Sequence, residues 1–379
     1  MFTACRHELN DSLRLNTTGI YMMKKRALIV GASGIAGSNL ADRLVDSGWD
    51  VFGLSRGRTF VSAKIHPIIA DLTSAESVKA ALNGVDVTHV FFTTWARQAN
   101  EAENIRVNGA MVSNVLDALG EGPSTLEHVA LVTGLKHYLG PFEAYATGAV
   151  PETPFRESQG RQNVDNFYYE QEDRVFAGAQ RQGYTWSVHR PHTIIGYAVG
   201  NAMNMGTTLA VYATLCKHTN TPFVFPGSAT QWNSLTDMTD ARLLARQLEW
   251  AATAEAAKNE DFNIVNGDVF RWKWMWSRIA DYFGLEPVAF DGEVRPLEGR
   301  MHEASAQWHK IATQFSLAQV DINKLVSWWH TDADLGRPME VITDMSKSRK
   351  AGFPGFQTTD DAFFDLFGRL EAERIIPRR

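Results

Sequence analysis

The sequence predicts a doubly wound α/β fold, in which helices cover both faces of a parallel sheet. The apolar run 27–30 is followed by a glycine-rich turn and then by an amphipathic helical pattern over 38–45. Further short apolar runs alternate with helical patterns through the first half of the chain, which is typical of a parallel sheet. These observations together indicate a fold of the Rossmann type, followed by a smaller C-terminal lobe.

The glycine-rich turn has the spacing G-x-x-G-x-x-G, formed by Gly31, Gly34 and Gly37. The run before it predicts a buried strand, and Leu40 and Leu44 lie on one face of the helix after it. A strand, turn and helix N-terminus in this order form an anion site, because free backbone N–H groups and the helix dipole point toward a phosphate. The spacing differs from the common G-x-G-x-x-G fingerprint, but its context favours a dinucleotide site over a simple turn.

The second predicted strand, 51–55, indicates which dinucleotide binds. An NAD site usually carries an Asp or Glu about 20 residues past the glycines, which binds the ribose hydroxyls. Here Asp50 lies at the opposite end of the strand, and Arg56 and Arg58 follow it instead. Guanidinium groups provide planar donors for a 2′-phosphate. We therefore expect NADP(H), and the alternative is a solvated arginine pair on a surface loop.

Length and composition are those of an ordinary globular protein, with 379 residues, of which 44% are hydrophobic and 21% are charged. The net charge of −6, without a long basic run, argues against nucleic acid or an anionic membrane as a partner. No apolar stretch is long enough for a transmembrane helix. Two cysteines, Cys5 and Cys216, suit a reducing cytoplasm. We expect a cytoplasmic protein without a bound metal.

We divide the chain into three parts. In residues 1–22 charged side chains interrupt every candidate apolar segment, so a secretory signal is not expected, and we treat this leader as disordered or dispensable. Residues 23–195 are expected to form the dinucleotide-binding domain. Residues 196–379, in which the alternation of strand and helix weakens, are expected to form a substrate-binding lobe interleaved with the first domain. The sequence leaves the oligomeric state open, a homodimer included.

Hydride transfer to a carbonyl or enone puts negative charge on an oxygen, so the site needs a donor aimed at that oxygen and a positive charge nearby. One helical turn can supply both as Tyr-x-x-x-Lys, since residues i and i+4 share a face. In the helical pattern 164–181, Tyr168 is instead followed by Glu172, four residues later. Read alone, this absence argues against a working dehydrogenase. Lys136, after the predicted strand 128–132, could reach the cofactor ribose, and the alternative is a solvated loop lysine.

Four segments of the chain, taken together, resemble the motifs of a known family. In chain order they are 88–96, 133–143, 166–173 and 186–191, with the sequences THVFFTTWA, TGLKHYLGPFE, NFYYEQED and WSVHRP. The family is that of the progesterone 5-beta-reductase and iridoid synthase-like enone reductases, an atypical branch of the extended short-chain dehydrogenases. The resemblance runs from about Arg26 to the C-terminus and omits only the leader.

The resemblance implies that Lys136 and Tyr168 are the catalytic pair and that both contact the cofactor, which accounts for the missing Tyr-x-x-x-Lys. It also implies NADP contacts from residues at several strand ends and, for the last three, near the nicotinamide: Ser33, Gly34, Ile35, Arg56, Asp71, Leu72, Thr94, Val132, Ile194, Asn201, Ala202 and Met203. One departure concerns the arginines, which are often adjacent in the family but are separated here by Gly57. The preference for NADP could therefore be weaker than is usual.

The expected reaction is the NADPH-dependent 1,4-reduction of the activated C=C bond of an enone or enal. Hydride would reach the β-carbon, while the Tyr168 hydroxyl stabilises the enolate and Lys136 supports the negative charge. Trp95 and Phe142 are expected to line an apolar pocket for a small carbonyl-containing substrate, and the alternative for both is ordinary core packing.

Three other functions stay open at this point. A carbonyl reductase would use the same residues for 1,2-addition. A sugar-nucleotide epimerase or dehydratase shares the fold, but it would need Tyr-x-x-x-Lys and polar diphosphate-binding residues, whereas the second lobe is rich in Trp, Phe and Met. A non-catalytic NADP-binding sensor or scaffold is the alternative of another class, and the presence of both Lys136 and Tyr168 argues against it.

Overall fold

The computed structural model describes residues 13–15, 21–57, 62–121, 125–141, 151–200 and 203–379. Its strands are β1 (Leu13–Leu15), β2 (Tyr21–Met23), β3 (Arg26–Val30), β4 (Asp50–Ser55), β5 (Ile65–Ile69), β6 (His89–Phe92), β7 (His128–Val132), β8 (Thr185–Pro191), β9 (Ile194–Ile195), β10 (Phe223–Val224), β11 (Thr239–Asp240), β12 (Glu260–Ile264) and β13 (Pro287–Val288). Its α-helices are α1 (Ile35–Asp46), α2 (Ala75–Leu82), α3 (Glu101–Leu119), α4 (Lys136–Leu139), α5 (Phe167–Gln182), α6 (Met205–Thr219), α7 (Ala229–Asn233), α8 (Ala241–Ala251), α9 (Trp272–Phe283), α10 (Ala304–Gln314), α11 (Trp328–Leu335), α12 (Ser346–Lys350) and α13 (Thr359–Ala372).

Within the described residues, seven strands form one sheet in the order β12-β8-β7-β6-β3-β4-β5. All neighbouring strands in it are parallel, so the predicted doubly wound α/β fold is confirmed. The chain enters the sheet at β3, runs outward through β4 to β5, and then returns to β6 on the other side of β3. Ligand crevices form at such a reversal, beyond the carboxyl ends of the two strands.

Residues 27–30 of strand β3 are all apolar, because helices cover both faces of the sheet. Ala27 and Ile29 belong to a core with α1 and α8, whereas Leu28 and Val30 belong to a core with α2, α3 and α5. Successive side chains of a strand point to opposite faces, so each face needs an apolar residue at every second position. This two-sided burial produces the continuous apolar run seen in the sequence.

Helix α5 begins later than the periodicity predicts, at Phe167 instead of residue 164. Asn166 has extended backbone dihedrals, and its side-chain oxygen accepts a hydrogen bond from the Tyr168 N–H at 3.0 Å. An Asn in this position satisfies one of the free donors of the first helical turn and thereby sets the start of the helix. Asn166 therefore places Tyr168 in the first turn of α5.

Two elements of the second half of the chain, α8 and β12, lie in the first half's sheet and helix layer. Strand β12 pairs with β8, and α8 packs against α1. Helices α6, α9, α10 and α13 surround a separate apolar core, in which Trp272, Trp276 and Trp308 are fully buried. The second half thus both completes the parallel sheet and builds a body of its own beside it.

Three further observations concern the described part of the chain alone. Strands β1 and β2 pair antiparallel, but most of the predicted leader 1–22 lies outside the described residues, so its disorder stays a prediction. No described helix is long and apolar enough to cross a membrane. No cluster of three or more described His, Cys, Asp or Glu side chains could hold a metal ion.

Candidate active site

The glycine turn after β3 packs directly against the ends of two neighbouring strands. Gly31 has a φ of 93°, and its N–H donates to the Leu54 carbonyl of β4 at 2.9 Å. A Cβ atom at Gly31 would lie 2.6 Å from Thr94 Cβ, and one at Gly37 would lie 2.2 Å from the Gly31 oxygen. No side chain fits at either position, so the turn presents bare backbone, as close approach to a ligand requires.

Helix α1 begins from this turn with Gly34 as its N-cap. No side chain caps this end, and its first turn contains no acidic residue. The first N–H groups of a helix have no intrahelical acceptor, and the helix dipole adds partial positive charge there. Ser33 is exposed beside these groups, whereas Ile35 is buried against Ala241. The bare backbone and uncapped helix end fit the pyrophosphate of a dinucleotide.

The end of β4 carries Arg56 near the predicted ribose position. Arg56 is exposed, and its charge lowers the pKa of Asp71 after the larger effect of hydrogen bonds from the Thr73 hydroxyl and N–H. These two bonds measure 2.7 and 2.9 Å. Asp50 begins β4 and therefore lies at the opposite edge of the sheet. Arg58 lies outside the described residues, so its contact with the cofactor stays a prediction.

The other predicted cofactor contacts are spread along the same edge of the sheet. In the seven-stranded sheet, Leu72 follows β5, Thr94 follows β6 and Val132 ends β7. Ile194 lies three residues after the end of β8 and begins β9 of a separate two-stranded sheet. Met203 is half-buried just before α6, whereas Asn201 and Ala202 lie outside the described residues. Because the carboxyl ends of parallel strands meet at one edge, Leu72, Thr94 and Val132 lie on the same side of the sheet as the glycine turn, and Ile194 packs against Ile35 of α1. Their contacts with the cofactor stay a prediction.

Lys136 starts the short helix α4, just beyond the end of β7. Its Nζ atom lies 5.0 Å from the ring centroid of Trp95 and 5.0 Å from that of Phe167. These two rings are themselves stacked, with centroids 5.0 Å apart. The Lys136 carbonyl accepts a hydrogen bond from Asn166 Nδ2 at 2.7 Å, so the cap of α5 also holds the lysine backbone. An ammonium group against two aromatic faces is stabilised in its charged form.

Tyr168 and Tyr169 are adjacent in α5 but have different surroundings. The Tyr169 hydroxyl donates to the His137 carbonyl at 2.6 Å and accepts from the Gln162 N–H at 3.0 Å. The Tyr168 hydroxyl lies by the end of β7, where a Cβ atom added to Gly134 would be 3.3 Å from it. The structure therefore brings Tyr168 to the carboxyl edge of the sheet, whereas it engages Tyr169 in holding two backbone segments together.

Glu172 occupies the position four residues after Tyr168, and it is almost fully buried beside two arginines and a histidine. Its carboxylate lies 2.9 Å from Arg161 Nη2, 3.4 Å from Arg190 Nη2 and 3.5 Å from His137 Nδ1. Burial by itself would raise the pKa of Glu172, but His137 and Arg190 hold that pKa below its ordinary value. The residue in place of the common lysine is thus part of an ion cluster that ties α5 to β8.

Aromatic and basic side chains that follow β6 pack against α5 and α11. Trp95 stacks on the fully buried ring of Phe167, and the Arg97 guanidinium carbon lies 4.2 Å from the ring centroid of Trp329 in α11. Phe142, which we also predict to line the pocket, lies outside the described residues. Sequence reasoning assigned no site role to Phe167. Phe167 had a detectable signal, since an aromatic residue directly follows the Asn of a helix start.

The parallel sheet, the bare glycine turn and the uncapped helix define this chain as an α/β protein of the Rossmann type. Solved structures with the same fold include an epimerase from Methanothermobacter thermautotrophicus, with a TM-score of 0.67, 15% identity, and coverage of 92% of this chain and 93% of that one. Another is a Bordetella bronchiseptica enzyme in complex with NAD, with a TM-score of 0.62, 16% identity, and coverage of 93% and 96%. At these identities the likeness concerns the fold alone.

Residues 65–377 match the family of PRISE-like Rossmann-fold domains. An (S)-8-oxocitronellyl enol synthase from Camptotheca acuminata is 39% identical over 363 residues, which cover 93% of each chain. A 3-oxo-Delta(4,5)-steroid 5-beta-reductase from Arabidopsis thaliana is 38% identical over 362 residues, again with 93% coverage of both. The chain therefore belongs to the PRISE-like Rossmann-fold family, and the resemblance described from its motifs is confirmed.

Proposed function

We propose that the protein reduces the activated C=C bond of enones or enals by 1,4-addition, with NADPH as the cofactor. The observation that carries this proposal is that Lys136 and the Tyr168 hydroxyl both lie just beyond the end of β7, with the Lys136 ammonium group against the rings of Trp95 and Phe167. The names of the relatives, a 5-beta-reductase and an enol synthase, support the same class of reaction.

The bound cofactor supplies the hydride that forms the new C–H bond at the substrate β-carbon. The C=C electron pair then moves toward the carbonyl, and the carbonyl oxygen becomes negative. Tyr168 donates a hydrogen bond to that oxygen and lowers the energy of the enolate. The α-carbon takes its proton from solvent, so Tyr168 keeps its own proton throughout.

Lys136 has an electrostatic role in this proposal. Its ammonium group lies against the rings of Trp95 and Phe167. In such a site a positive charge interacts more strongly with a developing oxyanion than it would in water. The same group is placed to hold the cofactor ribose, as the resemblance implies.

NADP(H) rather than NAD(H) is proposed because the end of β4 offers Arg56 and no acidic residue. Asp71 is nearby, but its carboxylate is engaged by Thr73. An arginine can pair with a 2′-phosphate through parallel hydrogen bonds. Residues 23–195 would hold the cofactor and 196–379 would close over the substrate, with Arg58, Asn201 and Ala202 completing the cofactor contacts.

The decisive experiment supplies the protein with deuterated NADPH and a panel of enones, enals and sugar nucleotides. We expect consumption of NADPH with the enals and enones, and deuterium at the β-carbon of the saturated product. Deuterium at the carbonyl carbon would indicate 1,2-reduction, and turnover of a sugar nucleotide would indicate an epimerase or dehydratase. Tight NADPH binding without any turnover would indicate a sensor or scaffold.

A further inference from the structure

Two side chains, Arg97 after β6 and His330 in α11, have no part in the proposed reaction. Arg97 follows Trp95 by two residues, and its guanidinium group stacks on Trp329. No carboxylate in the described part of the chain lies within 4.0 Å of an Arg97 nitrogen. An arginine stacked face-on against an indole keeps its edge N–H groups available, in a fixed plane, for a planar anion.

His330 lies next to Trp329 in α11, with its Nδ1 atom buried and without a hydrogen-bond partner. Burial lowers the pKa of His330, Asp334 opposes this effect, and the charges of Arg337, Arg97 and Lys136 lower that pKa further. The imidazole is therefore neutral near pH 7, and one of its ring nitrogens is a donor. A buried polar atom without a partner costs free energy unless a ligand satisfies it.

The positive charge around His330 is only partly compensated inside the protein. Asp334 is the acidic side chain that acts on it, and Asp334 is already engaged by Arg337 and by the Thr193 hydroxyl at 2.8 Å. Arg97, which has no carboxylate within 4.0 Å in the described part of the chain, contributes a further positive charge to the same region. An anionic group bound between Arg97 and His330 would neutralise part of this charge and satisfy the Nδ1 atom.

We propose that the substrate of the proposed reaction carries a carboxylate at the end remote from its enone or enal, and that Arg97 and His330 bind it. The Arg97 guanidinium donates two parallel hydrogen bonds to the carboxylate, and His330 donates a third from Nδ1. Lys136 and Tyr168 hold the carbonyl at the inner end. This inference rests on the proposed function, because the reaction defines which end of the substrate points inward.

The test uses linear 2-enals of increasing length that end in a carboxylate, each paired with its methyl ester. We expect one chain length at which kcat/KM for the acid exceeds that for the ester by about tenfold or more, the effect of a charge-assisted hydrogen bond. The gain should come through KM, because the carboxylate interacts equally before and during hydride transfer. Esters preferred or equal at every length would overturn the inference.

Variants separate this role from a general effect of charge. Arg97→Gln should raise KM for the best acid about 10- to 100-fold and leave the ester unchanged. His330→Gln should raise KM for the same acid by a smaller factor. Arg106→Gln is the matched control, because Arg106 is an exposed arginine of α3 that pairs with Glu103. Equal effects of Arg97→Gln on acid and ester would contradict the assignment.

Binding measurements keep the failure of this inference apart from the failure of the proposed reaction. The saturated carboxylate aldehyde of the best length is titrated into the NADPH-bound protein by calorimetry. Binding that weakens about tenfold or more in Arg97→Gln supports the carboxylate site even if no enal is reduced. Reduction of esters without any Arg97-dependent carboxylate binding would leave the proposed function intact and overturn the inference alone.

Discussion

At the scale of single residues, the two tyrosines of α5 show how neighbours acquire different roles. Adjacent helical residues point about 100° apart, and periodicity does not choose between Tyr168 and Tyr169 here. The contacts distinguish them, because the Tyr169 hydroxyl is occupied by His137 and Gln162. The Tyr168 hydroxyl lies instead beside Gly134, at the edge where the cofactor is proposed to bind.

Replacing Tyr168 by Phe is therefore expected to reduce kcat by roughly 10²–10³, the usual effect of losing one oxyanion donor. The loss should be smallest with strongly activated enals, whose enolates need less stabilisation. Tyr169→Phe, the matched control, should keep most activity and lose some stability, because the two hydrogen bonds from its hydroxyl to backbone groups disappear. Steady-state kinetics on a weakly activated enone at saturating NADPH measure both. The reverse order of effects would contradict the assignment of Tyr168.

Arg56 is the residue expected to select the cofactor. NADPH should bind more tightly than NADH, and Arg56→Ala should reduce the difference by about 1–3 kcal/mol, as for other charged hydrogen bonds. Fluorescence titration with both cofactors gives the two Kd values. Arg43→Ala, at an exposed arginine that pairs with Glu249, should leave their ratio unchanged. Equal Kd values in the wild-type protein would show that Arg56 does not read a 2′-phosphate.

At the scale of elements, the start of α5 links helix stability to the position of the lysine. Asn166 accepts a hydrogen bond from the Tyr168 N–H with its side-chain oxygen and donates one to the Lys136 carbonyl with its nitrogen. One side chain thus connects the two elements that carry the proposed catalytic pair. The helix end and the residue after β7 cannot move independently while both bonds persist.

Asn166→Ala should lower the free energy of unfolding by about 0.5–2 kcal/mol and also lower kcat. Asn100→Ala removes the corresponding cap of α3, where the Asn100 side chain accepts from the Glu103 N–H at 2.9 Å. Asn100→Ala should lower the free energy of unfolding by a similar amount and leave kcat unchanged. Asn166→Asp retains the cap but not the donor to Lys136, so it should restore stability without restoring kcat. Denaturant titration and steady-state kinetics check the pair, and full activity in Asn166→Asp would exclude the positioning role.

At the scale of the whole molecule, three buried histidines on adjacent strands connect stability to pH. His128 Nε2 and His189 Nε2 both hydrogen-bond the Ser187 hydroxyl at 2.9 Å, and the rings of His89 and His128 lie 6.3 Å apart. Burial lowers the pKa of His89 to about 4, of His128 to about 3 and of His189 to about 4. All three are therefore neutral in the folded protein near pH 7.

The unfolded chain binds protons on these histidines with an ordinary pKa of 6.5, well above the folded values of about 4. Their contribution to the free energy of unfolding is therefore complete above pH 6.5. It is lost as the pH falls toward 4, at up to about 1.4 kcal/mol per pH unit for each histidine. Replacing His89 by Gln should make the free energy of unfolding fall less steeply with pH, because unfolding then takes up about one proton fewer. Denaturant titrations across this range measure the slope. His309→Gln, at an exposed position, is the control, and an unchanged slope in His89→Gln would contradict the prediction.

Much of the fold could be predicted from the sequence, because parallel strands covered on both faces leave continuous apolar runs. The glycine turn was equally visible, since the close approach of Gly31 to Thr94 permits no side chain. The role of Glu172 could not be read in this way. A glutamate in place of lysine suggested a missing catalytic group, whereas the structure surrounds it with Arg161, Arg190 and His137.

The sequence by itself determined the class of fold, the location of the phosphate turn and the family, because these depend on local periodicity, glycine spacing and contiguous motifs. Only the tertiary structure decided which tyrosine hydroxyl reaches the end of β7 and that the charges of Arg97 and Lys136 act on His330. It also showed that β12 pairs with β8 to complete the sheet. The physical reason is the same in each case: these contacts join residues far apart in the chain, and the packing of whole strands and helices creates them.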